Sequence, residues 1–135
     1  MKDSIFLDSN IFLYAFSTKD LDKQKIASKL VNSPANISTQ VINEVSNNML
    51  KKLDFTNHDI ENFVENCYEK YMVINFTKQM FVKACHLREK YNLSYYDSLI
   101  VSSALLGHAN ILYSEDMQHG LVIMDTLTIK NPFRL

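Results

Sequence analysis

Four carboxylates carry most of the chemistry this sequence can do: Asp8, Glu44, Asp97 and Asp116. Asp8 interrupts an apolar stretch, with Ile5, Phe6 and Leu7 before it and Phe12, Leu13, Tyr14 and Phe16 after it. Glu44 falls between Val41 and Val45 on the apolar stripe of a helical pattern, and Asp97 opens the most hydrophobic segment of the chain, below Ile100 and Val101. Asp116 follows the short apolar run "ILY". A lone carboxylate in apolar surroundings is costly unless donors or a cation meet it. Two such charges about 4 Å apart repel by about 4 kcal/mol at an effective dielectric near 20, so a cluster of ionised acids needs protons or cations to neutralise it. The cation that suits carboxylate and water oxygens is a hard divalent ion, Mg²⁺ or Mn²⁺. An ion held in this way acidifies water and offsets charge on a phosphodiester, which is the chemistry of a nuclease.

The other catalytic repertoires are poorly represented. His58, His86, His108 and His119 are dispersed without an HExxH-like pairing, which disfavours zinc. Cys67 and Cys85 lack the close spacing of a metal site and read as buried free thiols. Only Gly107 and Gly120 occur, so the glycine-rich phosphate loops of dinucleotide and P-loop proteins are excluded. Each acid also has a plain structural reading. Asp8 can cap the following helix, Glu44 can reach water, Asp97 can favour a helix N-terminus and Asp116 can sit in a turn. Three of them nevertheless break strongly apolar patterns, and two end strands whose tips should be neighbours.

The elements that must position these acids follow from periodicity. "IFL" reads as a buried strand, and Ser9 or Asn10 can cap a helix through "IFLYAF". Asp20 can cap "LDKQKIASKLV", whose lysines are left for the surface, and "NIST" offers a very short strand. Helices follow in "STQVINEVSNNMLKKL" and "TNHDIENFVENCYEKY", then a strand in "MVINF" and a helix in "KQMFVKACHLREKY" capped by Thr77. Ser94 opens "YYDSLIVSSALLGHA", apolar almost all round and hence central, with Gly107 at its stop. "NILYS", "GLVIMD" and "LTIKNPF" read as strands. Strands separated by helices predict an α/β fold, with a mainly parallel central sheet covered on both faces. In such sheets the site gathers at the carboxyl ends of the strands, which brings Asp8, Glu115 and Asp116 to one edge.

The chain of 135 residues fits one domain over 1–135, with 47% hydrophobic and 21% charged residues as in a soluble globular protein. The N-terminus lacks the long uncharged middle of a secretory signal, so a cytoplasmic location is expected, with no membrane partner. The formal net charge of −1 gives no global attraction to a polyanion. Lys19, Lys51 and Lys52 are candidates for local phosphate contacts, and Tyr14, Tyr95 and Tyr96 for stacking on bases, although surface solvation and core packing are the ordinary roles of such residues.

Four stretches, "FLDSNIFLYAF", "INEVSNNMLKK", "YYDSLIVSSAL" and "ILYSEDMQHG", closely resemble the PIN-domain ribonucleases, particularly the VapC-type toxins of toxin–antitoxin pairs. The likeness spans nearly the whole chain in the right order. It implies a three-layer α/β/α sandwich and a Mg²⁺- or Mn²⁺-dependent endoribonuclease. It also implies a homodimer and a cognate antitoxin that blocks or distorts the acidic pocket. Carried over by position, the family's acidic quartet falls on Asp8, Glu44, Asp97 and Asp116, with Asn10 and Ser114 in support. On that basis Asp8 and Asp97 are expected as principal metal ligands. Glu44 is expected as a ligand or an orienter of water, and Asp116 as a ligand through water or to a second ion. Attack on the scissile phosphate would leave a 5′-phosphate and a 3′-hydroxyl. The chain departs from some relatives in carrying His119 where they have another acid, so Glu115 is read as either a weak substitute or an exposed side chain. The RNA-binding residues and the target RNA are not specified. Two other classes are consistent with parts of the sequence: a non-catalytic PIN-like RNA- or protein-binding module, and an aspartate-based phosphatase using Asp8, for which Asn10 stands where a general-acid aspartate is wanted.

Overall fold

The first three strands are each followed by a pair of helices, and each helix begins at a recognisable cap. The computed structural model describes residues 3–134. The domain expected over 1–135 therefore includes residues 1, 2 and 135, which lie outside the described residues. Strand β1 (Ile5–Leu7) leads into α1 (Ser9–Phe16), followed by α2 (Leu21–Val31), β2 (Asn36–Ser38), α3 (Thr39–Lys51) and α4 (Asn57–Lys70). Then come β3 (Met72–Ile74), α5 (Lys78–Lys90), α6 (Tyr95–Leu106), β4 (Ile111–Tyr113), β5 (Val122–Ile123) and β6 (Leu127–Lys130). Asp20, Ser38, Thr56, Thr77 and Ser94 each cap a helix by accepting a hydrogen bond from an N–H in its first turn. Thr56 and Asp59 complete a reciprocal capping box.

The strands form a sheet in the order β3-β2-β1-β4-β6-β5. All neighbours are parallel except β5 and β6. Helix α1 packs against α2 and α3, α3 against α4, and α5 against α6, giving the α/β/α layers. Phe6, Leu7, Ile37, Leu112 and Ile129 are fully buried, as strands covered on both faces must be. Helix α6 runs through the interior, with Ser98 to Ala104 buried on every side. Its buried serines are satisfied locally: Ser102 donates to the Met80 carbonyl at 2.7 Å and Ser103 to the Leu99 carbonyl at 2.9 Å.

At this level one choice is settled and two expectations change. Of the residues that could cap α1, Asp8, Ser9 and Asn10, it is Asp8 that does so, its carboxylate turning back to accept from the Ser9 N–H. The run "GLVIMD" supplies only the two-residue β5, since Met124 and Asp125 take positive φ values of 49° and 61° and turn the chain back. Cys67 is buried, and burial pushes its thiol up to about 12. Cys85 is exposed, because Met80, Ala84 and Leu87 carry the buried stripe of α5.

Candidate functional site

The tips of β1 and β4 create the site. Leu7 pairs with Tyr113, so the next residues of the two parallel strands, Asp8 and Ser114, emerge side by side. The Asp8 N–H donates to the Tyr113 carbonyl at 3.1 Å, and the Ser114 hydroxyl donates to Asp8 Oδ2 at 2.8 Å. Asp8 Oδ1 accepts from the Ser9 N–H at 2.7 Å, at the positive end of α1. Asp8 is only 3% exposed. Burial pushes its carboxyl up to about 7, against the pull of the Ser114 and Ser9 hydrogen bonds, and the charges of Glu44 and Asp97 push it further. The charged side chains acting on it are both acids.

Neighbouring elements bring the remaining members to the same edge. Ser38 ends β2 and caps α3, which sets the phase that turns Glu44 toward Asp8. The Ser9 hydroxyl lies 3.4 Å from Glu44 Oε2 and 3.5 Å from Asp8 Oδ1, linking the two acids. Asp97 sits in the first turn of α6, where Ser94 accepts from its N–H at 3.2 Å. Burial raises the carboxyl of Glu44, helped by the charges of Asp97 and Asp116. Burial likewise raises that of Asp97, with Asp116 adding to it. Glu44 and Asp97 are half-buried and Asp116 is exposed, so the acids step outward from Asp8 to solvent.

Asn10 organises the loop after β4. Its Nδ2 donates to Asp116 Oδ2 at 3.1 Å and lies 3.5 Å from the Ser114 hydroxyl, while its Oδ1 accepts from the Glu115 N–H at 3.2 Å. Glu115 turns away from the acids. It accepts from the Tyr14 hydroxyl at 2.5 Å and pairs with Lys23 at 2.5 Å. Lys23 also lies 4.7 Å from the centre of the Tyr14 ring. Glu115 is therefore neither a free substitute ligand nor a bare surface charge. Tyr14 packs edge-on against Phe133 at 4.9 Å and, half-buried, lines the groove that holds Lys19, Lys52 and Asp116. His119 is committed, its Nδ1 accepting from the Asn131 N–H at 2.9 Å. Sequence reading missed the Lys23–Glu115 pair, 92 positions apart, and the bridge from Ser9 to Glu44, because neither partner leaves a local signal of the other.

Open grooves lead away from the acids. One of about 410 Å³ has Asn10, Lys19, Lys52, Glu115 and Asp116 in its lining. Lys51 is exposed but does not line it. Another, of about 280 Å³, runs past Asp97 and Asp116 beside Tyr91 and Gln118.

The donor set suits a hard divalent cation: carboxylate oxygens from four separate elements, next to solvent and without a competing basic side chain among the charges acting on Asp8. As the side chains lie, no three histidine, cysteine or carboxylate groups among the described residues converge on one ion position.

The comparisons with known proteins agree with this architecture. The family model described as PIN domain matches residues 5–120. No curated protein matches the sequence. Among solved structures, a toxin–antitoxin complex from Klebsiella pneumoniae is similar at a TM-score of 0.71 and 20% identity, over 96% of this chain and 98% of that one. VapBC2 from Rickettsia felis, bound to a DNA fragment from its promoter, is similar at a TM-score of 0.67 and 20% identity, over 94% and 97%. VapC20 from Mycobacterium tuberculosis, a sarcin–ricin loop cleaving toxin, is similar at a TM-score of 0.66 and 16% identity, over 84% and 90%.

Proposed function

From the premise that the chain belongs to the PIN-domain family, we propose that it is a metal-dependent endoribonuclease, a single nuclease domain acting as the toxin of a toxin–antitoxin pair. The observation that carries this reading is Asp8: a buried carboxylate raised to about 7, positioned by two hydrogen bonds, with other acids as its charged neighbours. A group in that state is stabilised when a cation arrives. The similarity to VapC20, a toxin that cleaves RNA, supports RNA as the substrate class. The similarity to toxin–antitoxin complexes supports a cognate antitoxin as partner. We propose a cytoplasmic homodimer. No helix among the described residues is long and apolar enough to cross a membrane, which by itself says nothing of location.

Asp8 and Asp97 would be the principal ligands of Mg²⁺ or Mn²⁺, with Glu44 and Asp116 completing the set. When bound, the ion supplies charge neutralisation at the phosphate and acidifies water. The chain's own residues do the rest. The Ser9 N–H and the Ser114 hydroxyl hold the two Asp8 oxygens in place. Asn10 holds Asp116 at the mouth of the lysine-bearing groove. Glu44, half-buried and linked to Asp8 through the Ser9 hydroxyl, would serve as a ligand or orient the attacking water. Water adds to phosphorus and gives up a proton to solvent, the bond to the 3′ oxygen breaks and that oxygen takes up a proton from solvent, and the products carry a 5′-phosphate and a 3′-hydroxyl.

The test is cleavage of single-stranded RNA by the wild type and by Asp8→Asn and Asp97→Asn. Each substitution keeps the shape and removes a charge. The expected loss is about a thousandfold or more, the scale of several kcal/mol of charge stabilisation. Undiminished cleavage by either variant would overturn the assignment.

A further inference from the structure

On the Glu44 side of the acids lies a groove of about 390 Å³, lined by Gln40, Asn43, Glu44, Asn47, Asn48 and Tyr96. Carboxamides, one acid and a phenol ring make up this lining, with no lysine or arginine in it. Asn48 also lines the groove that holds Lys19, Lys52 and Asp116. The two grooves thus share a wall and differ in chemistry. Cations hold phosphates. Paired donors and acceptors beside an aromatic face hold an unpaired base.

The amide groove is built for the second task. Tyr96 is 59% exposed, and Tyr95 backs it edge-on with centroids 5.3 Å apart and planes at 87°. Tyr95 is itself held: Arg88 lies 4.9 Å from its ring centre and donates to the Ser98 hydroxyl at 2.7 Å, and that hydroxyl donates to the Tyr95 carbonyl at 2.6 Å. The stacking face is therefore supported before any base arrives. Within the lining, Asn48 is turned to the Glu44 carbonyl at 2.9 Å, and Gln40 to the Glu44 carboxylate at 3.5 Å. Asn43 and Asn47, both exposed and one turn apart on α3, have no such internal partner among the described hydrogen bonds.

Resting on the ribonuclease reading, we propose that this groove is a nucleobase subsite that takes an unpaired adenine next to the scissile phosphate. The base stacks on Tyr96 and is read by the Asn43 and Asn47 carboxamides. The strand on the other side of the cut runs over Lys19 and Lys52. Adenine presents an amino donor beside the N7 acceptor, which a carboxamide meets with its oxygen and its NH₂. Guanine presents two acceptors there and suits an arginine or lysine, which this lining lacks.

The experiment is cleavage of a random-sequence single-stranded RNA pool in Mg²⁺ or Mn²⁺, read by sequencing the new 5′ ends. The wild type should enrich adenine about tenfold at one position beside the cut, the discrimination expected of a good bidentate pair. The Asn43→Ala/Asn47→Ala double variant and Tyr96→Ala should flatten that enrichment to about twofold or less. Lys52→Ala should slow all sequences together and keep the bias. An unbiased wild type, or a double variant with the wild-type bias, overturns the subsite and leaves the ribonuclease reading standing. If the wild type cuts nothing, fluorescence anisotropy with short oligonucleotides separates the two ideas. Adenine-dependent binding lost in the double variant keeps the subsite and overturns the nuclease. Its absence overturns both.

Discussion

One side of α1 carries Phe12 and Phe16 into an aromatic cluster, while the other carries Asn10 and Tyr14, behind the capping Asp8, to the acidic edge. Phe12 meets Phe63 and Tyr71 edge-on at 5.7 and 5.6 Å, and Phe16 meets Phe63 and Phe55 at 5.6 and 6.1 Å. These contacts lie in the favourable range for aromatic pairs, worth about 0.5–1.5 kcal/mol each beyond the area they bury. An open groove of about 420 Å³ beside this cluster has none of the four acids in its lining. Across the helix the balance is reversed. Asp8 is packed as tightly as Phe12, yet its burial works against its charge. The aromatic side stabilises the fold and thereby fixes the position of a carboxylate that the fold alone would not favour.

The comparison breaks most visibly at Phe12. Phe12→Ala should destabilise the protein by about 3–5 kcal/mol, through lost burial and a residual cavity, and thermal or denaturant unfolding measures it. It should leave the metal concentration for half-maximal cleavage unchanged wherever the variant remains folded. A shift in that concentration would show that the two sides of α1 are not separable.

The acidic side should respond in the opposite sense, through pH. The Asp8 carboxyl lies near its ordinary 3.8 when unfolded and at about 7 when folded, so between these values the folded state binds more protons. Its contribution is fully present below the unfolded value and is lost as pH rises through the folded one. Glu44 and Asp97 are shifted in the same direction. In chelator, stability should therefore fall as pH rises from about 5 to about 8, by an amount on the order of a few kcal/mol. Asp8→Asn should flatten that slope and be the more stable protein at the alkaline end. Melting curves across the range check this, and parallel slopes for the two proteins would refute it.

The contrast also marks what the sequence made legible. The helices and the parallel order of the central strands follow from apolar periodicity and from caps such as Asp20, Thr56 and Ser94. Asp8 and Glu44 stood out because each broke an otherwise apolar pattern. Helix α6 is apolar on nearly every face, so periodicity says little about which way Asp97 points; its place in the first turn was the usable signal. The turn at Met124 and Asp125 was hidden because Met124 is not a usual left-handed turn former, although Asp125 is a residue that tolerates that conformation. Glu115 could not be resolved from its neighbours in sequence, since Lys23 and Tyr14, which take up its charge, arrive from α1 and α2.

A smaller effect sharpens the comparison within the acidic edge. Asn10→Ala removes the hydrogen bonds to Asp116 and the Glu115 N–H but leaves the Asp8 contacts with Ser9 and Ser114 in place. Cleavage should fall about 10- to 100-fold, the usual range for groups that orient ligands, with the metal dependence moved to higher concentration. A variant with wild-type metal dependence would mean that Asp116 needs no such support.

The most direct measurement is the melting temperature at about pH 8 as Mg²⁺ or Mn²⁺ is added, for the wild type and for Asp8→Asn. The wild type should gain stability with ion concentration, reaching about 2.7 kcal/mol at a hundredfold excess over the dissociation constant, while Asp8→Asn gains much less. Equal melting temperatures with and without the ion in the wild type, or equal gains in both proteins, would contradict a cation site at Asp8.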